Sequence, residues 1–436
     1  MNVLQPGTSG QQHLDSKQPL KLSYALRALR HRNFRLFFAG QLISLIGTWM
    51  QSVAQSWLIY RLTGSSLLLG TVGFAGQFPV LLAAPLGGIV ADRYNRHRIV
   101  IATQVASMIL ALILAWLTLT GTVTVWHVAT LAACLGLVNA FDIPARQSFI
   151  VEMVGKEDLM NAIALNSSMF NSARMIGPAV AGVLVASIGE GWCFFANGIS
   201  YLAVIAGLLM MQVMPVARPA QTGSPLENIL EGFRFARRST PIRSLLLLLA
   251  LSSLVGAPYA VLMPIFAGEI LHGGPRGLGI LMGAAGIGAL LGALTLAARR
   301  GLRGLGRWIA LASGSFGVSL ILFAYSRIFW LSALLLIPTG YALMVQMGST
   351  NTLVQSMTPD HMRGRVMGIY SMMFMGMAPF GALLAGGAAH PFGAPATVAA
   401  GGLLCIAGAI VYSRRLPAFR KEARELILAQ QKSREP

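Results

Sequence analysis

The chain has 436 residues, of which 55% are hydrophobic and only 11% charged, with a mean hydropathy of +0.66. A soluble domain carries about 25% charged residues to cover its surface, so this composition excludes a water-soluble globular protein and requires lipid to face much of the surface. The 33 Lys+Arg against 14 Asp+Glu give a formal charge of +19; in a soluble chain that would indicate nucleic acid, but here the question is where the basic residues sit.

Residues 1–33 are polar and basic with no apolar run near the start, so no cleavable signal peptide is expected and this stretch reads as an amino-terminal arm. Apolar runs of about 20 residues, the length that crosses a bilayer as a helix, then lie near 34–60, 67–90, 99–120, 124–142, 162–188 and 192–213. A break follows at 214–242, opening with Pro215, Pro219, Gly223 and Pro225. It continues as an amphipathic helix with Leu226, Ile229, Leu230 and Phe233 on one face beside Arg234, Arg237 and Arg238. Such a helix is expected on the inner membrane surface, with partner binding as the other reading. Six further runs lie near 243–266, 277–298, 308–325, 329–352, 366–389 and 394–412. The sequence thus predicts an all-α membrane protein with six-helix bundles over 34–213 and 243–412, a linker over 214–242 and a basic tail over 413–436. Cys134, Cys193 and Cys405 lie singly in apolar runs and read as small buried hydrophobes, with neither a metal site nor a disulfide framework.

Arginine placement fixes the expected orientation, because cytoplasmic loops collect Lys and Arg. With twelve spans one side holds Arg27, Arg30, Arg32 and Arg35, then Arg93, Arg96 and Arg98, then Arg234, Arg237, Arg238 and Arg243. The same side holds Arg299, Arg300, Arg303 and Arg307, Arg363 and Arg365, and the tail from Arg414 to Arg434, whereas the other keeps only Arg61, Arg276 and Arg327. Both termini are expected in the cytoplasm, which accounts for the charge without DNA. The halves also echo each other: Leu69-Gly70 matches Leu278-Gly279, the turn with Asp158 matches the turn with Asp360, and Pro178 with Gly182 matches Pro379 with Gly381. Parallel six-span repeats mark a transporter built from two pseudosymmetric bundles.

Several motifs are more specific. The loop after the second span reads Gly88-Ile-Val-Ala-Asp92-Arg93-Tyr-Asn95-Arg96-His97-Arg98, and the fifth span reads Ala173-Arg174-Met175-Ile176-Gly177-Pro178-Ala179-Val180-Ala181-Gly182. The first resembles the loop signature of the major facilitator superfamily, with Asn95, which tolerates a left-handed backbone, where glycine is usual. The second resembles that superfamily's antiporter motif with its Gly-Pro core intact. Gly47-Thr48-Trp49-Met50-Gln51, Ala54-Gln55-Ser56-Trp57-Leu58, Asn161-Ala162-Ile163-Ala164-Leu165-Asn166 and Arg363-Gly364-Arg365-Val366-Met367-Gly368 resemble the enterobactin-exporter-like branch with its macrolide-efflux relatives. The resemblance spans roughly residues 20 to 415. It implies a secondary transporter in a bacterial inner membrane, working by alternating access, exporting a siderophore-like or drug-like molecule and exchanging protons for it. It also implies that Asp92 caps a helix of the other bundle and that Arg96 pairs with Asp142, a latch involving Gly88 and Arg93 that closes while the cavity faces outward. A monomer is expected. An importer, a lipid flippase on the same fold, and a non-transporting receptor or scaffold remain as alternatives.

Gln41, Ser44, Thr48, Gln51 and Gln55 recur every three or four residues and share one helical face. The stripe either bonds neighbouring helices or lines a wet cavity; bulky glutamines favour the cavity. Arg174 lies mid-span, where arginine costs about 2.5–3.5 kcal/mol, and shares a face with Ser167, Asn171 and Pro178. Asp142, placed near the end of the fourth span, is expected too far away in depth to neutralise it. Cavity lining and bonding to backbone carbonyls are the two readings, with lining expected. Tyr259, Met263, Gln346 and Met373 of the methionine-rich run are further lining candidates, with simple packing as their alternative. Gly286, Gly288 and Gly292 lie within a span and read as helix packing rather than a dinucleotide loop. No phosphate loop, nucleophile–base pair or metal cluster is present, so neither an enzyme nor a cofactor is expected.

Overall fold

The computed structural model describes residues 26–155, 157–212, 225–299 and 301–432. Expectations for residues 1–25, Pro215, Pro219, Gly223, Arg300 and Arg434 fall outside them. Among the described residues, twelve helices are long and apolar enough to span a membrane. Spans one to six are Arg32–Thr63, Ser66–Arg93, Arg96–Leu119, Val125–Val154, Leu159–Ile188 and Glu190–Leu209. Spans seven to twelve are Thr240–Ile270, Gly274–Ala298, Leu305–Tyr325, Phe329–Met357, Met362–Phe392 and Ala394–Ala418, with the linker helix Pro225–Arg238 between the sets. In lipid a helix satisfies its own backbone, which is why apolar runs of this length take this form. We call the side bearing the linker and both chain ends the terminal face, and the other the opposite face.

Local chemistry sets the ends. Ser65 and Asn95 cap their helices by accepting from the Leu68 and Arg98 backbone N–H groups at 3.3 and 3.2 Å. Asn95 has φ −66°, so it serves as an N-cap and not in the left-handed backbone its sequence context suggested. Span four does not stop near residue 142. Pro144 sits inside the helix, which runs on to Val154 because Ala145, Phe149, Ile150 and Met153 form a buried face. Cys193 and Cys405 are buried as expected, whereas Cys134 is exposed on span four.

The first and last described segments are docked. Arg27 and His31 reach Asp158 at 2.9 and 2.8 Å, and the Ala28 N–H donates to Asn161 Oδ1 at 2.9 Å, tying the arm to the start of span five. The linker helix lies on span eleven, where Glu231 meets Arg365, and leaves Leu230 and Phe233 exposed. Span twelve continues as helix to Lys432, its Ala423, Leu426 and Ile427 packing on the core around Ile242.

The bundles meet at two crossings of small residues. Gly182 and Gly279 interlock, a Cβ at Gly182 lying 3.0 Å from Gly279 Cα, so spans five and eight touch through backbone. Spans two and eleven do the same, a Cβ at Gly386 lying 2.8 Å from Gly70 Cα. Gly70 and Gly279 thus hold equivalent places, as the repeat implied. Pro379 and Gly381 do not stand in for Pro178 and Gly182: Gly386 occupies the position of Gly182, and Gly381 packs on Pro258 of span seven. Gly286, Gly288 and Gly292 pack against spans five and ten as expected. Both crossings lie toward the opposite face. Span eleven is broken at Gly376-Met377; its outer part Ala378–Phe392 packs on span two, while its inner part Asp360–Met375 turns to the linker helix and span seven.

Candidate functional site: the cleft between the bundles

Span five shows how the cleft forms. Ala173, Gly177 and Ala181, four residues apart, are buried on the side of span one, where a Cβ at Gly177 would lie 2.5 Å from the Trp49 Cβ. Pro178, Gly182 and Met175 face span eight. The helical sector between these contacts holds Ile163, Ser167, Phe170 and Arg174 toward the terminal face and Val185 toward the opposite face. Val185 is 8% exposed, whereas Phe170 is 44% and Ile163 48% exposed. One stripe of one helix therefore passes from closed packing to open space, and Arg174 stands at the change.

The guanidinium carbon of Arg174 lies 5.7 Å from the centroid of the Trp49 ring, and Phe170 meets that ring edge-on at 5.6 Å. Among the described residues no carboxylate or hydrogen-bond acceptor reaches Arg174. Asn171 is buried and donates to the Ser167 carbonyl at 2.9 Å, so it closes on its own helix.

The expected separation of Asp142 from Arg174 needs a different reason. At a rise of about 1.5 Å per residue, Asp142 lies about 18 Å inside the end of span four and Arg174 about 22 Å inside the start of span five, which are similar depths. Asp142 instead faces the interior of its own bundle. Its Oδ1 accepts from Thr103 and Gln104 at 2.8 and 2.9 Å, and its Oδ2 pairs with Arg146 at 3.1 Å. Arg96 therefore does not pair with Asp142. It binds Glu152 at 3.1 Å and Asp92 at 3.2 Å, because the longer span four carries Glu152, not Asp142, to the membrane edge. His97 donates to the Leu208 carbonyl at 2.8 Å, fixing this loop to span six. Asp92 and Arg93 are exposed, and a Cβ at Gly88 would meet nothing within 4 Å, as is true of Gly364 and Gly368 on span eleven.

One member of the polar stripe on span one bonds a neighbouring helix. Gln41, Ser44 and Gln51 are buried, and Gln51 Oε1 accepts from Asn197 of span six at 2.6 Å. Thr48 donates to the Ser44 carbonyl at 2.9 Å and stands beside Tyr201. Gln41, Ser44 and Gln51, all buried, therefore do not line the open cleft; Gly47 lets span six approach closely, bringing Asn197 to Gln51. Thr48 and Gln55 are half-buried. Tyr259, Met263 and Gln346 are buried too, Gln346 donating to Ser252 Oγ at 2.7 Å, so their role here is packing. Met373 is half-buried against the core of the second bundle.

Span seven, which supplies Tyr259 and Met263, is irregular: π-helical at Ser252–Gly256, 3₁₀ at Ala257–Leu262, and π-helical again at Phe266–Ile270. Pro258 and Pro264 remove two backbone donors there. The sequence shows these prolines, but nothing in it specifies the change of helix type. Sequence alone does not mark Trp49, Phe170 and Asn197, since aromatics and short polar residues in apolar runs look like ordinary packing, nor Arg146 and Glu152, which look like a polar turn after span four.

The profile of a family described as transmembrane secretion effector matches residues 23–433. Similar proteins include the staphyloferrin A transporter of Staphylococcus aureus, 28% identical over 87% of this chain and 95% of that protein. The multidrug efflux pump Tap of Mycolicibacterium fortuitum is 27% identical over 80% and 88%, and the enterobactin exporter EntS of Shigella boydii is 26% identical over 82% and 85%. Among solved structures, the nucleoside transporter NupG superposes with a TM-score of 0.69 at 15% identity, covering 88% of this chain and 98% of that one. A bacterial homologue of the iron transporter ferroportin, in an inward-facing state, superposes with a TM-score of 0.64 at 17% identity over 88% and 99%.

Proposed function

The chain belongs to the transmembrane secretion effector family of major facilitator transporters, and we propose that it exports a small amphipathic or anionic molecule, siderophore-like or drug-like, across a bacterial inner membrane. It is a multi-pass membrane transporter, not an enzyme. The observation that carries the reading is the stripe on span five, closed at Val185 and open at Phe170. With both termini in the cytoplasm, as the arginine asymmetry supports, this cleft faces inward and loads from the cytoplasm. Closure of the terminal face and parting of the two glycine crossings would release cargo on the far side. A monomer suffices, since both bundles come from one chain. Proton exchange supplies the driving force, and no phosphate loop suggests another.

The test uses inverted membrane vesicles holding the full chain under an imposed pH gradient, offered citrate-based and catecholate siderophores, dyes and antibiotics. Gradient-dependent accumulation of at least one compound, abolished by a protonophore, is expected. Folded, correctly inserted protein that accumulates none of them would overturn the proposal.

A further inference from the structure

We infer that Arg174, Trp49 and Phe170 form a binding site for the carboxylate of a flat, aromatic acid. The inference deepens the export reading by naming a chemical class for the cargo. Arg174 carries five N–H donors, and among the described residues none has an acceptor. Its contact with Trp49, at 5.7 Å, lies near the outer limit of about 6 Å for cation–π attraction and satisfies none of those donors. A guanidinium in this condition is stable only where water or a ligand reaches it, and Arg174 is half-buried at the inner end of an open stripe. The other mid-span charges differ: Asp142 and Arg146 neutralise each other, and Thr103 and Gln104 complete the carboxylate's shell.

The aromatic part of the inference rests on Phe170. It is 44% exposed on the cleft side of span five, not on the lipid side that Ile176 and Val183 occupy. An apolar ring facing a wet cleft is unfavourable, and covering it with a flat ligand removes that cost. Trp49 supports the ring edge-on, leaving a corner of aromatic surface beside a cation. A carboxylate fits the planar fork of arginine through two parallel hydrogen bonds.

Binding is measured on the purified full chain in lipid nanodiscs by equilibrium dialysis, using tritiated 2-naphthoate and its neutral counterpart 2-naphthamide. Saturable binding of naphthoate about tenfold or more tighter than naphthamide is expected, the ratio that loss of one charged hydrogen bond implies. Arg174→Gln should erase the preference, Arg174→Lys should keep part of it, and Trp49→Ala should weaken both ligands alike. If Arg174→Gln fails to fold, photolabelling of the unaltered chain with 4-benzoylbenzoate decides the matter. Adducts at Trp49, Phe170 or their neighbours, suppressed by naphthoate, support the site. Adducts elsewhere, absence of saturable naphthoate binding, or a preference that survives Arg174→Gln would each overturn it. No gradient is needed, so intact binding with failed vesicle export would count against the export reading and not against this site.

Discussion

Asp142 and Arg146 show how a charged pair can persist inside a membrane bundle. The side chains are 5% and 23% exposed, and both carboxylate oxygens are occupied. Breaking such a pair by removing one partner costs about 3–5 kcal/mol; Arg146 keeps some access to solvent, which favours the lower figure. Asp142→Asn should therefore lower the thermal unfolding midpoint in detergent clearly, and Asp142→Asn with Arg146→Gln should recover part of the loss. A single variant as stable as the parent would show that the pair is not coupled. At the membrane edge, Arg96 is shared between Asp92 and Glu152. Glu152→Arg should impair transport, and the exchange Arg96→Glu with Glu152→Arg should restore part of it; rescue by an acid–base exchange at Asp142 instead would contradict the pairing. Arg174 was legible as an odd residue from its type and position. Glu152 was not, because Asp142, Pro144 and Arg146 together imitate the polar turn that ends a span.

At the scale of helices, the glycine crossings decide which face is shut. Gly279 and Gly70 let spans eight and two meet five and eleven backbone to backbone, an approach that any side chain forbids. Gly279→Leu should wedge spans five and eight apart and raise labelling of opposite-face cysteines by a membrane-impermeant maleimide. Unchanged labelling would mean that this crossing is not the seal. Hydropathy showed twelve spans because each must be apolar over its length, and the repeat placed Gly70 and Gly279 correctly. The match of Pro379 to Pro178 failed because a short Pro–Gly echo is set by sequence, whereas the crossing follows Gly386. The broken course of span seven depends on its packing against Phe316, Phe323 and the inter-bundle core, which no single span reveals. The glutamine stripe was similarly ambiguous: its periodicity gives a face, and only Asn197 of the neighbouring span six reveals that Gln51 is taken up by a helix contact.

Across the whole molecule, one face is closed by small-residue crossings and the other is open, with the linker helix and the docked carboxy-terminal helix bracing the second bundle. Asp92 is exposed beside Arg96, and we propose that it caps a helix of the other bundle when the open face closes. Asp92→Asn should slow transport while leaving expression intact, by destabilising the state closed at the terminal face; normal turnover would remove Asp92 from the latch. We propose that these two faces open in alternation. Spin labels in a chain cleared of Cys134, Cys193 and Cys405 test it most directly, with one pair at Met160→Cys and Arg303→Cys on the terminal face and another at Leu62→Cys and Ile328→Cys on the opposite face. Imposing a pH gradient with a transported compound should shorten the first distance and lengthen the second in the same population. Distances that stay fixed during transport, or that grow and shrink together, would contradict alternating access.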